Sequence, residues 1–150
     1  MNYEEQRAAA FRELLERLGR EAGLPSVAAG ELAGRAAATP TLAVLFTGDP
    51  TQSPESWDVC VVLPELLALC PGVTGCVLDP VQSALAAPAY GVGKLPALVL
   101  LRDGEYRGAL EGMRDWQPFV DDLRRLVAAP PRPIPVAGVY SVARDSVRLA

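Results

Sequence analysis

The stretch KLPALVLLRDGEYRGALEG, Lys94 to Gly112, decides the fold. A short apolar run, Ala97 to Leu101, begins behind Pro96 and leaves through Asp103-Gly104. Asp-Gly between two apolar runs is a strong signal for a tight β-hairpin, because both turn positions need a positive φ. A second strand, Tyr106 to Leu110, returns and stops at Gly112. Beyond it, Phe119, Val120, Leu123, Leu126 and Val127 mark one face of an amphipathic helix from about Trp116 to Val127, with Asp115 at the cap position.

Working back toward the N-terminus, Thr41 to Phe46 (TLAVLF) is uniformly apolar and suits a central strand covered on both faces. A polar loop, Gly48 to Glu55, follows it. Ser53-Pro54-Glu55-Ser56 reads as a helix start, with Ser53 as the cap and Pro54 at the first position. That helix is expected from Pro54 to about Cys70, burying Val59, Val62, Leu63, Leu66, Leu67 and Cys70. Pro64 inside it should bend the axis. Val73 to Leu78 gives another strand, and Gln82 to Tyr90 a short helical segment. Tyr3 to Arg20 is a first helix with Phe11, Leu14, Leu15 and Leu18 on its buried face. Val27 to Ala38 is alanine-rich and expected as loose helix or turn. The fold class is therefore α/β, a mixed sheet with helices on both faces. Residues 1–129 form this domain, and residues 130–150 a proline-rich, basic extension with a short strand expected at Val139 to Ala143.

The 150-residue chain is long enough for one core, and none of its apolar runs approaches the length that spans a bilayer. MNYEEQR at the start lacks an apolar h-region, so no signal peptide is expected and a cytoplasmic location follows. The net charge of −4 is unevenly spread. From Phe46 to Asp122 eleven acids stand against four bases; from Leu123 onward five bases stand against one acid. An acidic body argues against nucleic acid; it can attract a basic segment of another protein, or serve only as ordinary solubility charge. The exposed edges of a small sheet leave a homodimer open.

Enzyme constellations fail on composition. There is no histidine, which removes histidine-dependent triads and histidine metal sites. Gly48-Asp49-Pro50 lacks the spacing and the lysine of a phosphate loop. No metal or cofactor is expected. Cys60, Cys70 and Cys76 form no Cys-x-x-Cys pair and read as small buried hydrophobes.

From Thr41 through Val127 the chain resembles the thioredoxin fold. In that fold the redox pair sits after the central strand at the next helix start, where helix-end amides stabilise a thiolate. Here that place is Asp49 to Asp58, DPTQSPESWD, without a cysteine. The resemblance also implies a cis proline at Pro96 facing this loop, which either shapes the start of the strand or presents backbone to an extended peptide.

More specifically, Gly48 to Pro50 (GDP), Pro54 to Leu67 (PESWDVCVVLPELL) and Tyr90 to Trp116 (YGVGKLPALVLLRDGEYRGALEGMRDW) resemble the HyaE/HupG family of hydrogenase expression proteins. The likeness covers roughly Phe11 to Val127. It implies a thioredoxin-like protein without the redox pair, serving maturation of an uptake nickel–iron hydrogenase. It further implies a chaperone that binds the small-subunit precursor or its twin-arginine signal peptide. On that reading a peptide runs over the Trp57/Pro96 surface beside Asp49, with Glu55 and Asp58 meeting its arginines. Trp57 either packs inward or offers an aromatic contact. Two other classes stay open: a monothiol enzyme using Cys60, and an adaptor unrelated to hydrogenase.

Overall fold

The structure, a computed structural model, describes residues 1–135. The strand expected at Val139 to Ala143 lies outside the described residues. Four strands, β1 (Thr41–Phe46), β2 (Thr74–Leu78), β3 (Ala97–Arg102) and β4 (Glu105–Glu111), form one mixed sheet in the order β2-β1-β3-β4. β1 runs parallel to β2 and antiparallel to β3, so Val44 lies opposite both Cys76 and Val99. Leu42 through Phe46 are all 0% exposed, which explains why this strand is apolar at every position rather than alternating. The hairpin turns at Asp103 and Gly104, whose φ values of 55° and 76° are both positive.

Five helices cover the two faces: α1 (Tyr3–Glu21), α2 (Leu32–Ala38), α3 (Pro54–Ala68), α4 (Pro80–Ala86) and α5 (Trp116–Ala128). Along each strand alternate residues point to opposite faces. Ala43, Leu45, Leu98, Leu100 and Leu110 meet Phe11, Leu63 and Phe119 of α1, α3 and α5. Leu42, Val44, Phe46, Val99 and Leu101 meet Leu32, Ala36 and Ala86 of α2 and α4. Each fully buried side chain of this size contributes about 1.5–3 kcal/mol.

Several elements differ from expectation in instructive ways. The alanine-rich connector is ordered, a 3-10 turn at Ala29–Glu31 leading into α2. Leu32 and Ala36 anchor it against the sheet, and Glu31 accepts from the Ala28 amide (2.9 Å). α4 begins two residues early because Asp79 caps it, accepting from the Gln82 amide (2.8 Å), and Pro80 fits the first turn. α3 ends at Ala68, where Leu69 and Cys70 close back on the Leu66 and Leu67 carbonyls. Val62 and Leu67 on this helix are half-buried rather than buried. Asp115 stands at the cap of α5, but its side chain makes no capping hydrogen bond.

Both outer strands are partly covered. Val77 of β2 exchanges backbone hydrogen bonds with Pro25 and Val27 (2.9 and 3.0 Å). Beyond α5, the buried Arg107 donates to the Ala129 carbonyl (2.7 Å), and the Arg132 amide donates to Tyr106 of β4 (3.0 Å). Pro135 then packs on Gly91, a left-handed residue where a side chain would lie 2.1 Å from the Pro135 carbonyl oxygen. The first residues of the proline-rich extension are thus seated on the domain.

Candidate functional site

The carboxyl ends of β1 and β2, the start of β3 and the first turn of α3 converge on a set of buried hydroxyls. The Thr47 amide donates to Ser83 Oγ (2.8 Å), while Thr47 Oγ1 and Ser83 Oγ both donate to the Leu78 carbonyl (2.7 and 3.0 Å). On the other side of the same loop the Gly48 amide donates to Ser56 Oγ (2.9 Å). Ser56 Oγ and Ser53 Oγ are 2.8 Å apart, and Ser53 Oγ donates to the Leu95 carbonyl (3.3 Å). Each hydroxyl has one proton to give. Ser53 spends its proton on Leu95, so Ser56 donates to Ser53, and the chain runs from the Gly48 amide through two hydroxyls to Leu95. Thr47, Ser56 and Ser83 are 0% exposed, so their bonds to backbone are made away from competing water, while Ser53 is half-buried.

Ser53 is at the helix cap as the sequence predicts, but its hydroxyl serves this chain instead of an α3 amide. Gly48 is required by the approach: a Cβ there would sit 2.8 Å from Ser53 Cβ and 3.3 Å from Leu95 Cβ. The Leu95–Pro96 bond is cis and Pro96 is buried. Both carbonyls of that dipeptide are engaged, Leu95 by Ser53 and Pro96 by the Gly112 amide (2.8 Å). Each carbonyl thus has one intramolecular donor and keeps a second lone pair.

The predicted acids divide by partner. Asp49 is exposed, and the Thr51 hydroxyl, then the Thr51 amide, hold its carboxyl below the usual range. Glu55 Oε2 accepts from the Met113 amide (2.9 Å), tying α3 to the loop between β4 and α5. Asp58 is exposed one turn further along α3. Trp57 turns toward α1: its ring lies 5.8 Å from that of Phe11, with the Arg7 guanidinium 4.8 Å above it. Asp49, Glu55 and Pro96 thus gather around the α3 start, while Trp57 is committed to the α1 side. The Ser53/Ser56 pair was legible only as a helix start. Its signal was the three-residue spacing at the place where a Cys-x-x-Cys pair would stand.

Thiol chemistry finds no exposed group among the described residues. Cys60 and Cys76 are 0% exposed, and burial pushes their pKa values up to about 12 and about 11. Cys70 is 5% exposed and its pKa is also raised by burial. Among the described residues no group of three or more cysteines, histidines or acids is placed to hold a metal ion, and no helix is long and apolar enough to cross a membrane.

Comparison with known proteins places this arrangement. The family model described as "Hydrogenase-1 expression protein HyaE" matches residues 14–119. The chain belongs to the HyaE family. This HyaE-family chain is 30% identical over 128 residues to the hydrogenase expression/formation protein HoxO of Azotobacter vinelandii, covering 85% of this chain and 86% of that one. It is 38% identical over 100 residues to HoxO of Cupriavidus necator, covering 64% of this chain and 62% of that one. A mutant thioredoxin from Halobacterium salinarum superposes with a TM-score of 0.58 at 23% identity, over 72% of this chain and 93% of that one. That likeness establishes the thioredoxin-like fold and nothing about activity.

Proposed function

We propose that this HyaE-family protein is a non-catalytic chaperone for maturation of an uptake nickel–iron hydrogenase. It binds the small-subunit precursor through the precursor's twin-arginine signal peptide. One observation carries the non-catalytic part: the helix start that would present redox thiols holds Ser53 and Ser56, whose hydroxyls are spent on the Gly48 and Leu95 backbone. A hydroxyl cannot replace a thiolate in disulfide exchange. The relatives' names supply the hydrogenase connection, and the acidic body supplies a reason to attract a basic leader.

The monothiol alternative draws no support from Cys60. A thiol with a pKa of about 12 and no exposed surface carries almost no thiolate at neutral pH. An adaptor for an unrelated protein remains the competing reading.

The test is titration of the full chain with the small-subunit precursor, with and without its leader, at low and high salt. Glu55→Gln/Asp58→Asn is the informative variant, because a glutamine carbonyl oxygen can still accept from the Met113 amide. We expect leader-dependent binding that weakens with salt, and a smaller salt dependence in the variant. Equal binding of leaderless small subunit overturns the leader assignment. Absence of precursor binding altogether favours the adaptor.

A further inference from the structure

The outer face of α3 is unusual for a surface helix. Asp58, Val61, Glu65 and Ala68 recur at the three- and four-residue spacing that aligns them along one side, with Leu69 on its flank. That side is opposite the buried Ser56, Val59, Cys60, Leu63 and Leu66. All five outer residues are exposed, and the apolar pair is exposed substantially, Val61 by 53% and Leu69 by 41%. Exposed helix faces are normally stabilised by acids and bases four residues apart. α3 contains three acids, Glu55, Asp58 and Glu65, and no lysine or arginine. Of the flanking bases, Arg7 lies on the Trp57 ring, and Arg124 donates to the Leu69 carbonyl (3.1 Å). The result is a strip about 16 Å long on which carboxylates without a partner among the described residues alternate with exposed aliphatic groups.

Charge and hydropathy together specify what such a strip accepts. A purely basic partner leaves Val61 and Leu69 in water, and a purely apolar one desolvates Asp58 and Glu65 without compensation. Arginine suits the acids because its planar fork matches a carboxylate and its stem lies on apolar surface.

We infer that the outer face of α3, along Asp58, Val61, Glu65 and Leu69, is the docking strip for the precursor's leader, in which an adjacent arginine pair precedes an apolar run. This rests on the proposed function and moves the contact away from Pro96, which is buried, onto a rigid helix. Asp58 and Glu65, about 10 Å apart along the axis, take the two arginines, whose aliphatic stems lie on Val61, and Leu69 takes the apolar run beyond them.

The experiment measures affinity of the synthetic twin-arginine leader peptide for the full chain, by fluorescence anisotropy. Three variants are compared: Val61→Glu/Leu69→Glu, Asp58→Asn/Glu65→Gln, and Leu85→Glu on α4, where Leu85 is 65% exposed. Thermal melts check that these surface changes leave the fold intact. We expect each α3 variant to lose at least tenfold in affinity, the charge-neutral one also losing most of its salt dependence, while Leu85→Glu binds as the parent does. Retained affinity in both α3 variants overturns the docking strip and leaves the proposed function standing. Loss on Leu85→Glu with α3 variants unaffected moves the site to α4 and likewise overturns it. A parent chain that binds no leader at all overturns both readings together.

Discussion

Replacing Ser56 by alanine tests whether the start of α3 is a structural clamp. The substitution removes the acceptor of the Gly48 amide and the donor to Ser53 at a site with 0% exposure. A buried amide left without a partner costs about 1–3 kcal/mol. Alanine's better helix propensity returns about 0.5 kcal/mol, leaving a net loss of about 1.5 kcal/mol. For a domain of this size that lowers Tm by roughly 4–8 °C. Urea denaturation should show a lower midpoint with an unchanged slope, because no extra surface is exposed. Amide exchange should localise the change to Gly48 and its neighbours. Ser53→Ala should cost less, since Ser53 is half-buried and its bond to Leu95 is long at 3.3 Å. A loss under about 0.5 kcal/mol for Ser56→Ala, with the Gly48 amide still protected, refutes the clamp.

Other perturbations follow from the same geometry. Ser53→Cys/Ser56→Cys should oxidise to an intramolecular disulfide, since the two hydroxyl oxygens already lie 2.8 Å apart. Mass spectrometry after mild oxidation checks this, and two persistent free thiols would count against the correspondence with the redox pair. The native cysteines should react with a thiol reagent only on unfolding, because burial holds Cys60 and Cys76 protonated. The same shifts predict alkaline lability. Their stabilising contribution is present below the unfolded thiol pKa of 9.0 and is lost as pH rises through the folded values of about 12 and about 11. By about pH 10 the loss should already exceed about 1 kcal/mol per thiol, and a Cys60→Ala/Cys76→Ala variant should flatten the profile between about pH 9 and 11. Finally, Gly91→Ala should unseat the proline-rich segment, because its methyl would meet the Pro135 carbonyl at a φ of 65°. Loss of exchange protection at the Arg132 amide reads that out, and retained protection contradicts it.

Much of this protein was legible from local chemistry. The Asp103-Gly104 turn, the apolar β1 and the three- and four-residue spacing of α1 and α5 each depend on neighbours in sequence, and each is where its residues place it. The expectation of loose helix or turn for Val27 to Ala38 left its firmness undecided, and the structure holds a 3-10 turn and α2 there. Alanine and glycine say little by themselves, and α2 is held by Leu32 and Ala36 packing on distant strands. α4 was placed late because Asp79-Pro80 reads equally well as the end of a strand and the start of a helix.

The candidate site divides along the same line. Sequence by itself determined that no cysteine stands at the start of α3, that histidine chemistry is absent, and that Glu55 and Asp58 bring excess negative charge to that end. It also supplied Ser53 and Ser56 three residues apart. Only tertiary structure decided what those groups do. Ser56 finds Gly48 and Ser53 finds Leu95 across the sheet, 42 residues away in sequence. Glu55 finds Met113 across 58 residues, and Trp57 turns to α1. A hydroxyl or carboxylate has no preferred long-range partner written into its local sequence. Which backbone amide it satisfies depends on how the strands register and how far each helix advances before its first turn is buried.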